Sequence, residues 1–201
     1  TPTCYERDHG LLPDQIYVIS QLLVNRRLEY CKDLNVSLAP AFRYQKAIDY
    51  NSKPNLKRKS ILVALPMLHT ESQQLLNLVL NANIESGVNI IIKRHPTVLM
   101  KTLLRNVAEA NNTRLIYTEK NLIDVMDEAT LFVTMTSSAG IEAILCNTYV
   151  AIIANSSAPT ANPLQDIVDP KFWSLCYTPE NIKKAFNHSL NNKFLNKIDY
   201  L

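Results

Sequence analysis

From Ser60 onward the chain repeats one pattern: a short apolar run rich in β-branched residues, then a longer stretch with apolar residues at helical spacing. The runs are "SILVAL", "VNIIIK", "RLIYT", "TLFVT" and "YVAII". Each is apolar on consecutive positions rather than on alternate ones, as expected of strands buried on both faces. The stretches between them read as helices, and strands that alternate with helices form a parallel sheet with helices on both sides. The predicted fold class is therefore α/β, a Rossmann-like, doubly wound parallel sheet over residues 58–201.

The first helix of this region, "TESQQLLNLVLNANIES", is expected to be capped by Thr70 or Ser72 and to end just before Gly87. The second, "PTVLMKTLLRNVAEAN", has proline near its first turn and carries Leu99, Leu103, Leu104 and Val107 on one face. Shorter helices are expected at "NLIDVMDEA" and "SAGIEAILC", and "YTPENIKKAF" reads as a further helix. The closing "NHSLNNKFLNKIDYL" is open between a returning helix and a frayed tail.

Ahead of the sheet, "DQIYVIS" reads as a strand, "QLLVNRRLEYCKDL" as a helix and "NVSLAPAFRY" as a strand broken by Pro40. The polar, cationic "NSKPNLKRKS" reads as a linker, so residues 1–57 are expected to form a partial α/β unit and residues 58–201 the main domain. "TPTCYERDHGLLPDQ" reads as a loop entering a strand, and the chain is expected to be a piece of a longer one.

Bulk properties narrow the function. The formal net charge of +3 comes from scattered basic residues, which argues against a nucleic-acid face but leaves room for a local anion site. The four cysteines, Cys4, Cys31, Cys146 and Cys176, show neither metal-ligand spacing nor the density of a disulfide scaffold, so a reducing compartment, the cytoplasm, is expected. No apolar stretch is long enough to span a bilayer, and peripheral association with the inner face of a membrane stays open.

Open α/β sheets bind ligands at the carboxyl ends of their strands. In "NIIIKRHPT" an apolar strand runs into two cations, an imidazole and a proline. Pro96 removes a ladder donor and biases His95 away from helical geometry, so Arg94 and His95 are expected to be displayed at the strand end, with Lys93 the weaker candidate. In "TMTSSAG", Thr134, Thr136, Ser137 and Ser138 crowd a strand end that leads through Gly140 into a helix. Unpaired amides and the helix dipole favour an anion there, phosphate above all. A serine before a helix is ordinarily just a cap, and an arginine beyond a strand is ordinarily solvated. Their occurrence on two strand ends of one sheet is what favours an anion site. Glu142, one turn beyond Ser138, is placed to reach ribose hydroxyls, and His69 in "PMLHTES" faces the same edge. No Gly-rich dinucleotide loop, P-loop, metal-ligand cluster or Ser-His-Asp order is present, which disfavours hydride transfer, ATP hydrolysis and metallohydrolase chemistry.

"KRHP" and "TSSAGIEAILCNTYVAII" resemble the HP and SS motifs of bacterial glycosyltransferases of the GT-B type that use CMP-activated sugars, a group that includes sialyltransferases and the Kdo transferases of capsule and lipopolysaccharide assembly. The resemblance implies that residues 58–201 are the donor-nucleotide lobe and that the upstream unit, with its "RY" segment, is a portion of the preceding lobe. It implies that His95, Ser137 and Ser138 bind the donor phosphate and nucleotide, with His95 catalytic through stabilisation of the departing CMP phosphate. Arg94, Thr136, Gly140, Glu142 and His69 are then substrate-binding, with Glu142 similar to the ribose-contacting glutamate of the wider class. The implied partners are a CMP-sugar donor, a glycan acceptor and a missing amino-terminal lobe that supplies the general base; no metal or other cofactor is implied. Two departures stand out. Thr134 occupies the place of a glutamate found in many retaining members, which favours inversion, and Asn147 and Thr148 replace the usual glycine and its neighbour before the fifth strand. A UDP-sugar or CDP-glycerol donor, or a non-catalytic nucleotide- or phosphosugar-binding module, are the alternatives.

Overall fold

The computed structural model describes residues 3–50, 59–96, 114–156, 158–165 and 167–191. The chain divides into two compact units, Thr1–Gln45 and Lys46–Leu201.

The smaller unit is a βαβ motif preceded by a helical turn. Strand β1 (Ile16–Val18) pairs in parallel with β2 (Val36–Leu38) through α2 (Gln21–Tyr30). Ser20 caps α2, its Oγ accepting from the Leu23 amide at 3.3 Å. "NVSLAPAFRY" is a strand only as far as Leu38; beyond the proline it becomes a 3-10 turn, η1 (Phe42–Tyr44). The start of the chain is not the loop expected from its sequence. It holds α1 (Cys4–Asp8), closed by a capping box in which the Thr3 amide donates to Glu6 Oε2 at 2.8 Å and the Glu6 amide to Thr3 Oγ1 at 3.3 Å.

The cysteine reading is also corrected for one pair. Cys4 and Cys31, 27 residues apart, form a disulfide between α1 and the end of α2, while Cys146 and Cys176 are free and buried. Arg7 reinforces the junction, with Nη1 2.9 Å from Asp33 Oδ2 and 3.1 Å from Cys31 Sγ.

The larger unit contains a six-stranded parallel sheet among the described residues. Its strands are β3 (Ser60–Ala64), β4 (Asn89–Lys93), β5 (Arg114–Thr118), β6 (Leu131–Thr134), β7 (Tyr149–Ile153) and β8 (Trp173–Cys176), in the spatial order β5-β4-β3-β6-β7-β8. That is the doubly wound order, in which the chain starts at the centre, builds outward one way, then returns to build the other way. The expected Rossmann-like sheet is therefore present, with a sixth strand, β8, that the run pattern missed: "WSLC" is too short and mixed to stand out.

Two cores cover the sheet. On one face α4 (His69–Leu80) and α7 (Pro179–Asn191) place Leu75, Leu76, Val79, Ile182 and Phe186 against Ile61, Val63, Ile90 and Ile92. On the other, α5 (Leu122–Met126) and α6 (Ala139–Leu145) place Val125, Met126, Ala143 and Ile144 against Leu62, Ile91, Phe132 and Val150. Alternate residues of one strand feed opposite cores, which is why the runs are apolar throughout. Ile61, Leu62 and Val63 have no exposed surface, and each such burial contributes about 1.5–3 kcal/mol. The short helix α3 (Gln45–Asp49) straddles the unit boundary, and its Ala47 belongs to the second core.

Helix ends differ from expectation in an informative way. Neither Thr70 nor Ser72 caps α4; its N-cap is Leu68, and the buried Ser72 hydroxyl instead donates to the Pro66 carbonyl at 3.0 Å. The helix ends at Leu80, well short of Gly87, because Asn83 takes the left-handed conformation (φ 46°) within "NANIES". At the end of α6, Asn147 does what the replaced glycine would do. It adopts φ 56°, its amide donates to the Ile144 carbonyl at 2.9 Å and the Thr148 amide to Ala143 at 2.9 Å, a Schellman closure. Most of the expected "PTVLMKTLLRNVAEAN" helix, residues 51–58 of the linker and residues 192–201 lie outside the described residues. Among the described residues no helix is long and apolar enough to cross a membrane.

The disulfide makes a direct prediction. In denaturant without reductant, two of the four cysteines should react with a thiol reagent, rising to four after reduction; four reactive thiols at the outset would contradict the Cys4–Cys31 bond.

Candidate functional site

The strand order reverses between β3 and β6, and the loops that leave their carboxyl ends diverge to opposite faces of the sheet. The crevice of a doubly wound fold opens at this point. Hydrogen bonds hold its floor: the Thr134 hydroxyl donates to the Ala64 carbonyl at 3.4 Å across β6 and β3, and the Leu65 amide donates to the Lys93 carbonyl at 2.9 Å, extending the β3–β4 ladder.

All eight candidate residues lie along this edge or on the helices that leave it. Arg94 and His95 follow β4 directly, both half-buried. Thr136, exposed, and Ser137 and Ser138, half-buried, follow β6. The ends of β4 and β6 lie on either side of β3, two ladder spacings or about 10 Å apart, so a ligand touching both loops must bridge the end of β3. His69, exposed, is the first residue of α4 beside that end.

The serines divide their roles. Ser137 Oγ accepts from the Ala139 amide at 3.2 Å, satisfying one of the helix-start donors and leaving its own proton for an acceptor. Ser138 is the N-cap position of α6 but makes no side-chain capping bond, and its backbone (φ −61°, ψ −9°) is already helical. Glu142, one turn on, is half-buried. Gly140 faces inward and is buried: a Cβ there would meet the Ile152 and Leu164 side chains at 3.7 Å, an ordinary contact distance.

The site also contains groups that the sequence passed over. Arg94 Nε donates to Glu119 Oε1 at 2.8 Å and Nη1 to the Pro96 carbonyl at 3.3 Å, so the guanidinium is held at the crevice rim instead of ranging through solvent. On the other side, Asn155 after β7 clasps α4: its Nδ2 donates to Glu71 Oε1 at 3.0 Å, its Oδ1 accepts from the Ala158 amide at 3.2 Å, and Gln74 Nε2 donates to the Ala154 carbonyl at 3.1 Å. Glu119 follows "RLIYT" and was visible only as part of a polar loop; its partner is 25 residues away, as Glu71 is 84 residues from Asn155.

Glu119 and Cys176 are both clearly shifted by their surroundings. The Arg94 hydrogen bond and charge, helped by Lys93, hold the Glu119 carboxyl below its ordinary 4.5. Burial pushes the Cys176 thiol up to about 12, which makes it a poor nucleophile. Among the described residues no group of three or more His, Cys, Asp or Glu side chains is placed to hold a metal ion.

Comparison with known proteins adds to this geometry. A family model described as "Capsule polysaccharide biosynthesis protein" matches residues 67–156. Among solved structures, an S. aureus MnaA–UDP co-structure matches with TM-score 0.60 and 12% identity over 92% of this chain and 52% of that one. TarM matches with TM-score 0.54 and 16% identity over 90% and 36%, and a GtfA/B complex with TM-score 0.54 and 16% identity over 92% and 39%. These likenesses establish a shared fold, and this chain spans about a third to a half of the length of those structures. No curated protein sequence matches it.

The ion pair predicts a titration. Because the Glu119 carboxyl is depressed in the folded state, its contribution to stability is present above the ordinary glutamate range and is lost as pH falls through the depressed value. By NMR, Glu119 should titrate below 4.5 and return toward that value in Arg94→Ala; an unchanged midpoint in the variant would mean that the pair does not persist in solution.

Proposed function

We propose that this chain is the donor-binding part of a glycosyltransferase of surface polysaccharide synthesis, one that transfers a sugar from a CMP-sugar to a glycan acceptor with inversion. The observation that carries the reading is the placement of a basic, histidine-bearing loop and a hydroxyl-rich helix start on the two strands that flank β3 at the strand-order reversal. The capsule family model supports it, since its match spans all eight candidate residues.

In this mechanism the acceptor hydroxyl attacks the anomeric carbon, the bond from that carbon to the donor phosphate oxygen breaks, and the phosphate leaves with the electron pair. A base outside this chain, supplied by the acceptor-side lobe, takes the hydroxyl proton. Arg94 and His95 donate to the departing phosphate from the β4 side; the Ser137 hydroxyl donates from the β6 side. Such donors count most where negative charge grows, so they stabilise the transition state more than the bound donor. Glu142 takes the ribose hydroxyls. Residues 1–57 belong to the acceptor-side lobe in this reading, and a cytoplasmic location, with peripheral association at the inner face of a membrane left open, has to accommodate the Cys4–Cys31 bond, which is uncommon in a reducing compartment.

A UDP-sugar donor is the second reading, favoured by the UDP bound in the MnaA co-structure, whose fold this chain shares. Thermal shifts with CMP, UDP and CDP separate the two, since a ligand at a hundred times its Kd stabilises by about 2.7 kcal/mol. CMP should give the largest shift. His95→Ala should reduce that shift, measured against the variant's own melting temperature without nucleotide so that any effect on folding is read separately. An undiminished shift would remove His95 from the site.

A further inference from the structure

Arg94 and Glu119 are neighbours by register. Lys93 of β4 pairs with Thr118 of β5, so the next residue on each strand, Arg94 and Glu119, comes opposite the other just beyond the last rung. Opposite charges at directly facing positions attract. The turn that presents Glu119 is itself pinned, because Thr118 Oγ1 accepts from the Lys120 amide at 3.2 Å. Lys120 is drawn elsewhere, its Nζ lying 3.5 Å from Glu128.

The geometry of the pair is specific. A guanidinium has five N–H donors in a rigid plane. Glu119 takes the Nε donor and the Pro96 carbonyl takes one on Nη1. The remaining three are on the terminal nitrogens, the end that pairs with phosphate in two parallel bonds. An ordinary exposed ion pair contributes little to stability, and the Glu119 side chain is 76% exposed. Electrostatically it is a liability, since a carboxylate beside an anion site repels the anion.

We propose that Glu119 is a positioning residue: it holds the Nε edge of Arg94 so that the terminal N–H groups are fixed for the donor phosphate. The inference rests on the reading of Arg94 as a phosphate ligand. It makes a prediction of opposite sign to simple charge arithmetic. If Glu119 acts only as a charge, removing it tightens anion binding; if it orients Arg94, removing it weakens binding.

The test is titration of the whole chain with whichever of CMP and UDP binds more tightly, read by calorimetry or NMR, for the parent, Glu119→Ala, Glu119→Gln and Arg94→Ala. Glu119→Ala should raise the Kd about tenfold, the scale of one charge-assisted hydrogen bond. Glu119→Gln should recover most of that loss, because its amide oxygen still accepts from Nε; a merely structural carboxylate would give no such rescue. Unchanged or tighter binding in Glu119→Ala, while Arg94→Ala weakens it, overturns the positioning role alone. Unchanged binding in Arg94→Ala, or no nucleotide binding by the parent, overturns the placement of Arg94 in the site and the role of Glu119 with it.

Discussion

The edge of the sheet where the candidate residues gather depends on the parallel ladder through β3. Ile61, Leu62 and Val63 pair with β4 on one side and with β6 on the other, and none exposes any surface. A strand so enclosed cannot shift by one residue without exchanging the side chains of two cores. That register aligns the carboxyl ends of β4, β3 and β6 at one edge. The loops after β3 and β6 then part to opposite faces, one entering α4 and the other α6, and leave a crevice between them. The eight candidate residues lie along that edge or on the helices that leave it.

Two polar ties give the edge its shape. Arg94 and Glu119 join the β4 and β5 loops; Asn155 and Gln74 join the β7 loop to the first turns of α4. Between them lie the helix starts, neither of which is closed by a capping side chain of its N-cap residue. Donors held on a fixed frame suit an anion whose charge changes during reaction, because the frame need not reorganise as charge develops.

Much of this was legible in the sequence, for a physical reason. A strand buried on both faces has to be apolar at every position, so β3, β4, β6 and β7 stood out, and the residues just beyond them followed. Strand β8 has three half-buried positions of its four and lost that signature. Helix α1 was legible in principle, since "TCYE" is a capping box, but only two turns of polar chain surround it. Asn147 shows the limit of reading a glycine's absence as a departure: asparagine tolerates the left-handed conformation, and the Schellman bonds formed regardless. Contacts between distant segments were out of reach. Cys4–Cys31, Arg94–Glu119 and Asn155–Glu71 each join residues whose proximity only the fold creates.

The central claim is that nucleotide phosphate binds at the strand-order reversal, between the β4 and β6 loops. Amide chemical-shift mapping of the isotope-labelled chain with CMP tests it most directly. Binding there should give the largest shifts at Arg94 and His95 and at Thr136, Ser137, Ser138 and Ala139, with little change at the amino ends of the strands, near Ser60 and Leu131. Shifts confined to that opposite edge, or to one of the two loops alone, would contradict it.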